Sequence, residues 1–229
     1  MKMRKIWMGV ASVLALVVSA YAIVQFVVFN PKSAGLVQLH LLDKEFPYTQ
    51  WVNFLYLHAV GSAIALAVGP LLFSTRLQTK HLRLHRQLGK LYVLSIGVGG
   101  VSGIYLAFEA LGGVMSQAGF LALDVVWLAA TYLGYKRIRQ KQVEQHREWM
   151  LRSYALTFAG VTLRFWLGLL GMLTIPVESL SQSDLLLGDF NRIYRIDAWL
   201  CWVPNLIAAE WLIRRRRKSG AQARFPLAD

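Results

Sequence analysis

Three histidines and one arginine pose the chemical question in this chain. His85 and His146 are each followed by an arginine, as His85-Arg86 and His146-Arg147, and each opens a long apolar run. At 3.6 residues per turn the face starting at His85 continues through Gly89, Tyr92, Ile96, Gly99 and Gly103, with Ser95 and Ser102 beside it. The face starting at His146 continues through Met150, Ser153, Thr157, Gly160, Arg164, Gly168 and Gly171. Imidazoles at like heights on neighbouring helices, flanked by small residues, suit bis-imidazole ligation of haem b. Arg86, Lys90, Arg147 and Arg152 would then stand near the propionates. A second haem would need another pair, and His58 has only the loop residue His40 to offer, so the pattern fits one haem better than two. His81, His85 and His146 with Glu144, Glu148 or Glu210 form a weaker metal-ligand set.

A second group sits within the apolar runs themselves. His58, Asp124 and Asp197 fall at similar depths, and Arg164 lies a turn or two deeper, with Tyr194 and Asn205 able to join them. Ionisable side chains are costly in hydrocarbon and mark functional sites by default. One reading is a polar pocket, open to the outside, for an anionic or protonatable ligand. The plainer reading is a buried Arg–Asp pair that fixes helix positions. On the fifth run, Arg164 is expected to point into the bundle along the His146 face, leaving Leu151, Leu156, Phe158, Val161 and Leu163 to lipid. On the second run, His58, Gly61, Ser62, Ala65 and Gly69 share a face that permits close helix packing.

The elements that must position these residues are membrane-spanning helices. The chain has 229 residues, 56% of them hydrophobic, with a mean hydropathy of +0.43. Six apolar segments, about 6–29, 51–73, 89–111, 119–138, 149–175 and 191–213, each reach the length of about 20 residues that a bilayer requires. Short loops make them one all-α domain over 1–229, a six-helix transmembrane bundle with a basic tail at 214–229. The first run, preceded by Lys2-Met3-Arg4-Lys5 and containing Ala20-Tyr21-Ala22, resembles a secretory signal. It continues to Phe29, however, and is expected to be retained as a helix. Pro204 is placed to kink the sixth helix. Neither inverted repeats nor broken helices are otherwise evident, although "HRQLGKLY" and "HREWMLRSY" hint at a duplicated hairpin.

The formal charge of +13 is distributed asymmetrically. Twenty of the 25 Lys and Arg residues lie at the N-terminus, at 76–90, at 136–152 and in the tail, whereas the alternate loops hold Lys32, Lys44, Arg192 and Arg195. This asymmetry predicts cytoplasmic N- and C-termini in a multi-pass protein of a bacterial cytoplasmic membrane, with the basic ends beside anionic lipid head groups. It argues against a nucleic-acid-binding face. Trp7, Trp51, Trp149 and Trp211 are expected at the membrane interfaces. The single cysteine, Cys201, rules out an intrachain disulfide. No glycine-rich nucleotide loop, serine elbow or Cys-rich metal motif is present.

The stretches "LHAVGSAIALAVGPLLF", "HLRLHRQLGKLY", "HREWMLRSYALTFAGVTLRFW" and "WLCWVPNLIAAE" resemble a widespread bacterial family of predicted membrane proteins of unknown function. The resemblance covers helices two to six. It marks His58, Gly69-Pro70, His85-Arg86, Gly89, His146-Arg147, Trp149-Met150, Arg152, Arg164, Trp202, Asn205 and Glu210, and implies no activity. The residues themselves point first to a haem-b redox protein with a membrane electron-transfer partner. A small carrier or ligand-binding protein built on the Arg164 group comes second. A partner in a larger membrane complex, without chemistry of its own, and a metal-dependent lipid-modifying enzyme come after these.

Overall fold

The computed structural model describes residues 2–42, 46–176, 179 and 182–224. Every long element among them is helical, because uninterrupted Leu, Ala, Val and Ile runs satisfy their backbone polar groups internally, as a bilayer demands. The first span is α1 (Lys2–Ile23), continued by a π-helical turn, Val24–Val28. A 3-10 turn at Pro31–Ser33 leads to the short α2 (Gly35–His40). The second span is α3 (Tyr48–Leu72), and the short α4 (Thr75–Lys80) links it to the third, α5 (Leu82–Phe108). The fourth is α6 (Val114–Arg139). The fifth is divided into α7 (Val143–Thr157) and α8 (Ala159–Thr174), and the sixth into α9 (Ser183–Leu200) and α10 (Val203–Arg224). Six helical stretches are long and apolar enough to cross a membrane. Several run past the expected limits, since Glu-, Gln- and Arg-rich ends such as VEQHRE and IRRRR are good helix formers beyond the apolar core. Lys44, the Trp7 side chain and the tail beyond Arg224 lie outside the described residues.

The core joins α3, α5, α6, α7 and the α9–α10 junction through Tyr92, Ile96, Trp127, Leu156 and Trp202. Glycine makes this closeness possible: a Cβ at Gly61 would stand 2.7 Å from the Ser95 carbonyl oxygen of α5. The first span lays Ala22 and Phe26 against Trp51, Leu55 and Ala59 of α3, while Val13, Leu16, Val17 and Val27 stay exposed. Such apolar outer faces are what a bilayer covers.

Both breaks have local causes. Pro204 has no N–H and its ring excludes a regular turn, so the sixth span opens at Cys201–Trp202. The freed Cys201 carbonyl is taken by Asn205 Nδ2, at 2.9 Å, and by Thr162 Oγ1 from α8. In the fifth span Thr157 Oγ1 donates to the Ser153 carbonyl at 2.9 Å, a back-bond that bends helices, and α7 ends there. The interruption of the sixth span falls where Pro204 was expected to kink it, whereas that of the fifth span was not expected. Thr157, Gly160 and Arg164 of the expected inward face do line one cavity, but the lipid-facing set is corrected: Leu156 and Val161 are buried at 2% and 7% exposure. Trp51, in the first turn of α3, is buried with its ring against His40.

Candidate functional site

A cavity of about 240 Å³ lies toward the end of the bundle opposite the basic clusters. His58, Asp124 and Arg164 all line it, from α3, α6 and α8. Each stands ten residues from that end of its helix, at Tyr48, Val114 and Thr174 respectively, or about 15 Å down. His58 Nδ1 is 2.8 Å from the Gly99 carbonyl. A carbonyl only accepts, so Nδ1 carries the proton, and Nε2 keeps its lone pair and no partner among the described residues. Asp124 is buried against Gly103, where an added Cβ would come within 2.7 Å of both carboxyl oxygens, and it too has no hydrogen-bond partner among the described residues. Arg164 Nη1 donates to the Gly160 carbonyl of its own helix at 2.6 Å, and the guanidinium lies 5.6 Å from the Tyr21 ring centre of α1. No ion pair joins Arg164 to either aspartate among the described residues. The buried Arg–Asp pair weighed above is therefore absent, and Arg164 both lines the cavity and is exposed.

The rest of that expected group sits elsewhere. Asp197 is fully enclosed on α9, both carboxyl oxygens lacking a partner among the described residues, and does not line the cavity. Asn205 is occupied in repairing the break at Cys201 and bonding Thr162 Oγ1 at 3.0 Å. Tyr194 does line the cavity, stacked on Phe190 and tilted against Phe120.

Two boundaries of the cavity escaped the sequence reading. The roof is α2, whose His40 places Nδ1 2.9 Å from the Leu36 carbonyl and Nε2 3.1 Å from the Glu109 carbonyl, and whose ring packs on Phe46 and Trp51. His40 had figured only as a loop histidine. Burial lowers its pKa from the ordinary 6.5, partly offset by the two carbonyls. The floor is a hydroxyl cluster. Trp127 Nε1 donates to Thr157 Oγ1 at 2.8 Å, Tyr92 OH lies 3.0 Å from both Thr157 and Ser153, and Ser153 lies 2.7 Å from Thr131 Oγ1. Thr157 and Thr131 each donate to a carbonyl of their own helix, so Ser153 must donate to Thr131 and Tyr92 must donate to Thr157 or Ser153. Every hydroxyl proton in the cluster is committed, and the cluster ties α5, α6 and α7 together.

At the basic end, His146 Nδ1 bonds the Gly134 carbonyl at 2.8 Å, and His85 Nδ1 is buried without a partner among the described residues. The two are close enough for their charges to interact. Two of the expected cations are already engaged. Arg147 pairs with Glu144 at 2.8 Å, and Arg152 pairs with Glu210 while lying over Trp149. Glu148 is bound by Arg217. Arg86 is exposed. Among the described residues no three His, Cys, Asp or Glu side chains form a group able to hold a metal ion, and His81 stands exposed at the start of α5.

Six apolar helical spans packed around one internal cavity define an integral membrane protein. Residues 55–213 match the family model described as predicted membrane protein (DUF2306), and with more than half of the chain covered, the protein belongs to that family. The match begins within α3, so α1 and α2, which close one side and the roof of the cavity, precede it. No curated protein and no solved structure matches the chain.

Proposed function

We propose that this protein binds a small molecule within the membrane, in the cavity between α1, α3, α5, α6 and α8. The observation that carries this reading is that three ionisable side chains, His58, Asp124 and Arg164, face one cavity without neutralising one another. Such groups are costly at this depth and are kept where a ligand supplies their partners. The haem-b reading of His85 and His146 is weaker on the same reasoning, because Arg147 and Arg152, wanted for propionates, already have carboxylate partners. The interruption at Phe158, between the cavity-lining Thr157 and Ala159, gives that wall a place to bend, as a carrier would need. The positive-inside asymmetry supports termini in the cytoplasm of a bacterial cell, which would put the cavity in the outer half of its inner membrane.

The test is saturable binding of 1-aminoanthracene, a small fluorescent aromatic amine, to the purified protein in lipid nanodiscs. Wild type is expected to show a saturable fluorescence rise. Ala59→Phe, which puts a ring into the cavity from α3, is expected to weaken binding at least tenfold while helicity is retained. A non-saturable signal, identical in the two proteins, would overturn the proposal.

A further inference from the structure

Resting on that reading, the structure assigns the cavity a lipid-soluble occupant with a neutral, hydroxyl-bearing head of hydroquinone type, which reaches it sideways from the bilayer. The route follows from which walls are shut. Toward the far end of the bundle the roof is closed by α2, with His40, Val37 and Trp51 all buried and the His40 ring set between the Leu36 and Glu109 carbonyls. Toward the basic end the Trp127–Thr157–Tyr92–Ser153–Thr131 cluster and the Leu156 and Ile96 side chains close the floor. Of all the described residues that line the cavity, Arg164 alone is exposed. It lies against Tyr21, in the seam between α1 and α8. The neighbouring Val17, Phe165 and Leu169 are exposed and apolar, so this seam faces the hydrocarbon.

The order of polar groups from mouth to interior selects the head. Arg164 at the mouth offers only N–H donors. Beyond it, His58 Nε2 and the Asp124 carboxyl oxygens offer acceptors without partners among the described residues. A cationic head would be repelled at the mouth by the guanidinium, and an anionic head would be held there and turned away from Asp124. A neutral head with one oxygen accepting from Arg164 and a hydroxyl donating to His58 Nε2 or Asp124 meets the donor at the mouth and an acceptor beyond it. Its apolar body would rest on Leu55, Ala59, Ala63 and Leu66 of α3.

The experiment displaces 1-aminoanthracene from the wild-type protein in nanodiscs with a decyl-substituted benzohydroquinone kept reduced, or with its dimethyl ether. The ether has the same oxygens without donors. The hydroquinone is expected to compete at roughly tenfold lower concentration, the worth of one hydrogen bond to a strong acceptor. Asp124→Ala should narrow that gap, and Arg164→Met should weaken both competitors. A hydroquinone carrying a photoreactive group on its tail is expected to label peptides of α1 and α8. Equal competition by hydroquinone and ether, or labelling confined to α2, would overturn the inference on wild-type protein alone. Competition by decylamine or decanoate at lower concentration than the hydroquinone would do so as well. Failure of the proposed function is a separate outcome, in which 1-aminoanthracene itself shows no saturable binding.

Discussion

At the scale of single residues, what separates His40 from the other histidines is that both its ring nitrogens stand near carbonyl oxygens while the ring itself is buried. Only one nitrogen of a neutral imidazole can donate, so protonation would satisfy both carbonyls but leave a charge in a desolvated roof. Desolvation is the larger effect and lowers the pKa below 6.5. A folded-state pKa below the unfolded value means that the unfolded chain binds more protons as pH falls through 6.5, so stability is full above that pH and is lost beneath it. The unfolding midpoint in detergent is therefore expected to fall between about pH 6.5 and 5. The contribution of His40 has a slope no steeper than about 1.4 kcal/mol per pH unit, the limit for one proton. The drop should shrink in His40→Gln. An unchanged pH profile in that variant would remove His40 from the account. The position also shows where sequence reading stops. The cost of His58, Asp124 and Arg164 in hydrocarbon was legible from their types and depth, but the pairing of His40 with Glu109 crosses 69 residues and no spacing rule reaches it.

At the scale of elements, helix existence was legible because every span must be apolar for about 20 residues, and the kink at Pro204 was legible because proline lacks a donor. The break after Thr157 was not, since it depends on a hydroxyl that back-bonds to Ser153 while also accepting from Trp127 and meeting Tyr92. Across this junction Thr157, Gly160 and Arg164 still line the cavity together, but the lipid-facing set drawn from the same wheel fails at Leu156 and Val161. Helix crossings are better determined by glycine. A Cβ at Gly61 would meet backbone of α5, the Ser95 oxygen at 2.7 Å and the Gly99 nitrogen at 3.1 Å, whereas Gly89 has nothing within 4 Å. Backbone cannot rotate aside as a side chain can, so α3 and α5 would have to separate. Gly61→Ala is expected to cost about 1–3 kcal/mol of stability and to lower the unfolding midpoint in detergent. Gly89→Ala should be neutral or stabilising, because alanine is the better helix former by about 1 kcal/mol. Equal midpoints for the two variants would show that this crossing is looser than drawn.

At the scale of the whole molecule, the asymmetry of charge and the position of the cavity have to be considered together. The Glu148–Arg217 and Arg152–Glu210 pairs join α7 to α10 at the basic end, and the His58–Asp124–Arg164 cavity lies toward the other. If the basic end faces the cytoplasm, the seam at Arg164 opens into the outer leaflet and the occupant is drawn from there. If it faces outward, the same seam samples the inner leaflet. Lys and Arg in short loops set orientation because moving them across a bilayer is costly, and Arg214 to Lys218 form one block directly after the last span. A C-terminal green fluorescent protein fusion expressed in a bacterial host is accordingly expected to fluoresce, and a C-terminal alkaline phosphatase fusion to be inactive, each enzyme or fluorophore reporting the compartment in which it folds. A dark first fusion with an active second would invert the bundle. It would move the cavity to the inner half of the membrane without altering its groups, because the donors and acceptors that choose the ligand are fixed by the packing of α1, α3, α5, α6 and α8 and not by the direction in which the bundle is inserted.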